Sequence, residues 1–239
     1  MVMSDDKFYF LVGICKGITY ILRFFQLAGF LTALYSLLKV PNKLLTALAL
    51  FLGTEFILWL INHILLFHVP NEAIAEIPTY NVVTAIIRII TLSYLFIFVL
   101  KQSKVLTVFF TCLAVAGIFY NVFDLLNIRD RNVLEYVRYS EYFSNFFICL
   151  LSLNYTLYAL LSDKIRKMRL IPLSLLFFCY FTIKLIYTTF TNFFMNQAIQ
   201  SQDVFIAMLS SIIFDFAFYL LLLIFIVKKV CSKKKITTY

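Results

Sequence analysis

Charge, glycine, proline and histidine are all scarce in this sequence. Only 14% of its 239 residues are charged, and it holds 5 Gly, 4 Pro and 2 His. The shortage of charge excludes a water-soluble globular domain, in which about a quarter of residues are charged. Few glycines and prolines exclude flexible linkers and low-complexity tracts. We therefore expect one domain over residues 1–239, closing in a short basic tail at 229–239. The two histidines, His63 and His68, fall on different faces of a helix. They cannot supply the ligand set of a membrane zinc hydrolase. Four of the five cysteines (Cys15, Cys112, Cys149 and Cys179) lie in apolar runs, and no pair has metal-type spacing. They read as small hydrophobes, with no disulfide framework, metal or other cofactor expected. The start, MVMSDDK, lacks the basic region and cleavage site of a signal peptide.

What fills the chain instead is apolar bulk: 63% hydrophobic residues, including 28 Phe and 15 Tyr, with a mean hydropathy of +0.94. A membrane span needs roughly 20 such residues. Polar or proline-bearing breaks divide the chain into seven spans at 8–38, 44–68, 80–100, 104–126, 139–161, 170–196 and 204–228. The breaks are KVPNK, VPNEAIAEIP, KQSK, NIRDRNVLEYVR, SDKIRKMR and NQAIQSQD, with the prolines at segment ends. The expected fold is an all-α membrane protein, a bundle of seven transmembrane helices.

Basic residues set the expected orientation. Lys39, Lys43, Lys101, Lys104, Lys164, Arg166, Lys167, Arg169 and the tail lysines share one side, against Lys7, Arg129, Arg131 and Arg138 on the other. This bias puts the N-terminus outside and the C-terminus in the cytoplasm. The tail, KKVCSKKKITTY, reads first as an ordinary positive anchor. A second reading is attraction to anionic lipid, with Cys231 as an acylation site.

Seven charges interrupt the spans: Lys16, Arg23, Glu55, Arg88, Asp124, Lys184 and Asp215. Each costs roughly 2.5–3.5 kcal/mol at a helix centre, so such residues turn inward and pair. Polar stripes at helical spacing agree. Examples are Glu55, Trp59 and Asn62, with His63 beside them; Thr84, Arg88 and Thr91; Tyr180, Lys184 and Tyr187; and Ser211, Asp215 and Tyr219. At a rise of about 1.5 Å per residue, Glu55, Arg88, Lys184 and Asp215 reach comparable depth near the middle. The pairs Glu55–Arg88 and Lys184–Asp215 follow, although charge alone equally allows the crossed pairs. Two roles stay open. The four residues are structural ion pairs, or they line a cavity in the outer half with Lys16, Arg23, Trp59, Asn62, His63, Asn121, Asp124, Asn145 and Asn192. Four basic charges against three acidic favour an anionic ligand or lipid headgroup.

Other chemistries find no support. No G-x-S-x-G elbow occurs. Asp124 and Asp215 differ too much in depth to form an acid dyad. The last span has no lysine before Lys228 for a retinal, and RDR (129–131) lies on the wrong side for a cytoplasmic receptor motif. No glycine-broken helix marks a transporter site. These absences point away from an enzyme.

The seven short-looped spans, Glu55 in the second span and the stretch LSDKIRKMRLIPLSLLFFCYFTIKLIY (161–187) together resemble small bacterial seven-helix membrane proteins. The resemblance implies a bacterial cytoplasmic membrane and a sensing or signalling role, and assigns no site residue. The function expected is a receptor-like or sensory module. It would bind a small-molecule or lipid ligand within the lipid bilayer and couple to a cytoplasmic or membrane protein partner, with no nucleic acid involved. A transporter, a channel-like protein and a structural subunit are the alternatives.

Overall fold

The structure is a computed structural model that describes residues 5–39, 41–68, 70–100, 103–126, 139–161, 168–196 and 201–234. These form seven helices: α1 (Asp5–Lys39), α2 (Lys43–His68), α3 (Pro70–Ser93), α4 (Lys104–Leu126), α5 (Tyr139–Leu160), α6 (Ile171–Asn196) and α7 (Ser201–Lys234). All seven are long and apolar enough to cross a membrane, and no strand occurs among the described residues.

Local chemistry sets several boundaries. Asn42 starts α2 by accepting the Leu44 N–H on its side-chain oxygen at 3.0 Å, and Ser103 starts α4 by accepting from Leu106 at 3.3 Å. Inside the helices, Thr19, Thr91 and Thr111 return their hydroxyl protons to carbonyls four residues back, at 2.7–2.9 Å. An apolar surround offers these hydroxyls no water, so the backbone takes the proton. Helix α3 runs into a π-helical turn, Tyr94–Val99, closed by the Leu100 N–H donating to the Leu95 carbonyl at 2.9 Å.

Two expected boundaries need correction. The break at 69–78 is helical from Pro70 onward. Proline fits the first turn of a helix, where its missing N–H has no partner in any case, and Glu72, Ala73, Ala75 and Glu76 are good helix formers. The basic tail is also helical as far as Lys234, because α7 continues beyond residue 228. Arg129, Arg131, Arg138, Lys164, Arg166 and Lys167 lie outside the described residues, as does the last stretch of the tail.

Helix α1 packs on α2 and α7, α2 on α3, α3 on α5, α5 on α6, and α6 on α7. Six helices thus close a ring in the order α1–α2–α3–α5–α6–α7. Helix α4 stands outside it, against α3 and α5, with Val105, Val108, Phe109, Phe119 and Phe123 exposed. The middle of the ring is filled by Phe51, Phe96, Phe177 and Phe218, whose neighbouring ring centroids lie 5.4–6.4 Å apart. Each is at most 3% exposed. Edge-to-face packing of this kind suits rings from different helices.

The seam between α5 and α6 is built from small polar residues. Ser174 donates to the Ser152 carbonyl at 2.6 Å, and Thr156 lies 2.8 Å from the Ser174 hydroxyl. Short side chains let the two backbones approach closely while every hydroxyl finds an acceptor.

Candidate functional site

Glu55 on α2 and Arg88 on α3 meet through two parallel hydrogen bonds. Arg88 Nε donates to Glu55 Oε1 at 2.6 Å and Nη2 donates to Oε2 at 2.9 Å. Glu55 is 6% exposed and Arg88 16%. This fork geometry uses both carboxylate oxygens and is the stronger form of ion pair.

Lys184 on α6 and Asp215 on α7 form a second pair, with Nζ 2.6 Å from Oδ1 and 2.9 Å from Oδ2. Lys184 also donates to the Ser211 hydroxyl at 3.0 Å, and Tyr180 donates to Asp215 Oδ1 at 2.9 Å. The Tyr180 ring stacks on Phe218 with centroids 3.8 Å apart, which fixes its hydroxyl toward Asp215. An ammonium has three protons, and this environment occupies them.

Arg23 on α1 sits between these pairs, because α1 lies between α2 and α7 in the ring. Nη1 donates to Gln26 Oε1 at 2.7 Å, and the guanidinium carbon lies 5.2 Å from the Trp59 ring centre. Trp59 in turn stacks on His63 at 5.1 Å, and Tyr20 sets its edge against both rings. Two donors here are buried without an acceptor among the described residues: Arg23 Nε and Gln26 Nε2. Arg23 reaches Glu55 only through the longer-range field, as Lys184 also does. Following the ring through α3, α2, α1, α7 and α6, the charges read Arg88, Glu55, Arg23, Asp215, Lys184. They alternate in sign, with cations at both ends and one cation left over.

The remaining residues expected at the site take other places. Asn121 and Asp124 on α4 and Asn145 on α5 bond to other partners and not to the ion pairs. Asp124 accepts from Ser140 at 2.5 Å, Asn121 donates to the Gly117 carbonyl at 2.6 Å, and Asn145 donates to Thr188 at 3.4 Å. Lys16 is exposed on the outside of α1 and joins neither group. Asn62 is half-buried on α2, and the side chain of Asn192 lies outside the described residues. Among the described residues, no cluster of His, Cys, Asp and Glu has the arrangement of a metal site.

The sequence placed Tyr180, Ser211 and Tyr219 on the polar stripes, but not their partners. The cation–π contact between Arg23 and Trp59 depends on two helices meeting at one level, for which the sequence has no local signal. Comparison with protein-family models, with curated proteins and with solved structures finds no match for this chain. The class defined by fold and composition is therefore the coarse one: an all-helical bundle of seven helices fit to cross a membrane.

Proposed function

We propose that this chain is a receptor-like or sensory membrane protein that binds a small or lipidic anion in the outer half of its bundle. It sits in a bacterial cytoplasmic membrane with its N-terminus outside, and passes the bound state to a cytoplasmic or membrane protein partner. The observation that carries this reading is Arg23. The other four midplane charges neutralise one another, whereas Arg23 and its neighbour Gln26 keep buried donors that no described residue accepts. A half-buried cation with a buried donor and no carboxylate at hydrogen-bond distance is costly, and an anionic group supplied by a ligand removes that cost. Trp59, His63 and Tyr20 give the ligand an aromatic wall.

Trp59 is the chain's one tryptophan and lies against Arg23, so its emission reports on this site directly. Titration of the purified protein with an alkyl phosphate should change that emission saturably, and Arg23→Gln should abolish the change. An Arg23→Gln protein that responds like wild type sinks the proposal.

Coupled transport is the second reading, favoured by ion pairs at midplane depth. It predicts ion- or pH-dependent flux in liposomes that Glu55→Gln abolishes. A sensor shows no flux and instead a ligand-dependent change in partner association. The aromatic filling between Phe51, Phe177 and Phe218 favours the sensor over an open path.

A further inference from the structure

A cavity of about 440 Å³ opens between the start of α6 and the end of α7, and shares no lining residue with the Arg23 site. This lies in the range of pockets that hold small organic molecules, about 300–1,000 Å³. Its mouth carries Arg169, Lys228 and Lys229, and its wall is apolar, made by Pro172, Leu176, Leu221, Ile224 and Phe225. The α7 residues recur at helical spacing from Leu221 to Lys228, so one face of that helix passes from hydrocarbon to cation over roughly 10 Å. Leu221 and Ile224 are 50% and 41% exposed, on a helix long and apolar enough to cross a membrane. Among the described residues, no acidic side chain lines the cavity.

We infer that this groove holds one anionic glycerophospholipid from the adjoining leaflet. Its phosphate lies among Arg169, Lys228 and Lys229, and an acyl chain runs along Leu221, Ile224 and Leu176. The charge pattern selects this occupant. A soluble anion has no use for the apolar wall, and a zwitterionic lipid brings its own cation to a cationic mouth. A second copy of the chain would set these basic residues against each other. Basic pockets between membrane helices recognise anionic headgroups by this combination. The site is more than a uniform positive end, because Lys39, Lys43 and Lys104 carry charge at that end without lining the groove.

The test is native mass spectrometry of the full chain released from nanodiscs of phosphatidylcholine containing phosphatidylglycerol. One phosphatidylglycerol should remain bound to the wild type, with phosphatidylcholine not retained. The triple variant Arg169→Gln, Lys228→Gln, Lys229→Gln should bind roughly a hundredfold more weakly. Ile224→Trp, which fills the groove and keeps every charge, should also lose the lipid; it carries the test if the triple variant does not fold. Lys39→Gln with Lys43→Gln should retain the lipid, and glycerol phosphate should not displace it. Equal loss in the Lys39/Lys43 variant reduces the effect to general attraction and overturns the site. So do displacement by glycerol phosphate, retention in Ile224→Trp, or a dimer in place of a lipid adduct.

Discussion

Glu55 and Arg88 hold each other so fully that neither can be lost alone without stranding the other in apolar surroundings. Glu55→Ala should therefore destabilise the bundle by about 3–5 kcal/mol, read as thermal unfolding in detergent. Glu55→Leu combined with Arg88→Met should recover most of that loss, because two apolar groups of similar volume need no partner. If the double variant is as unstable as the single one, the pair does not act as a unit. That Glu55, Arg88, Lys184 and Asp215 lie at similar depth was legible in the sequence, with this pairing and the crossed one equally allowed by charge. The isolation of Arg23 was not, since it depends on α1 being flanked by α2 and α7 and on both neighbouring carboxylates being taken.

At the scale of the element, α4 and α5 show which boundaries sequence reveals. Both lie between strongly polar breaks, and their ends agree with the hydrophobic pattern to within a residue. The start of α3 was obscured because Pro70 and Pro78 read as punctuation; Pro70 is at home at the first helical position, whereas Pro78 lies within the helix, which does without its N–H there. The π-helical turn had no signal at all: its extra residue reflects the packing of Leu95, Phe96 and Ile97 into the ring. The docking of α4 rests on Gly117, where an added Cβ would come 2.2 Å from Phe143 Cε1 and force that ring aside. Phe143 is itself stacked on Phe147. Gly117→Ala should cost about 1–3 kcal/mol through overpacking. Gly13→Ala, with nothing within 4 Å, should be neutral or slightly stabilising. Paired unfolding measurements on the two variants check this, and a harmless Gly117→Ala would mean that α4 is not held where it lies.

The whole molecule has one end rich in cations, with Lys39, Lys43, Lys104, Arg169 and Lys228 gathered there by alternating helix direction. By the distribution of positive charge this end should face the cytoplasm. In a cysteine-free background, a single cysteine placed after Tyr239 should resist a membrane-impermeant maleimide in intact cells. One placed after Met1 should react, and the reverse pattern would invert the assignment. Helix number follows from counting apolar runs. The order of helices around the ring does not, because every span offers a similar greasy surface and only side-chain complementarity chooses neighbours.

The contact between α1 and α7 joins the first and seventh helices and closes the ring. Phe25 packs on Phe216, and Gly29 lies beside Leu223 and Ile226. During synthesis α1 packs on α2 first and must wait for α7 before its inward face is fully covered. Until then Lys184 lacks the carboxylate of Asp215 and the hydroxyl of Ser211, whereas Arg23 already has Gln26 and Trp59 beside it. A chain that stops before α7 leaves Lys184 a stranded cation on α6. Closing the ring and pairing Lys184 are thus a single event.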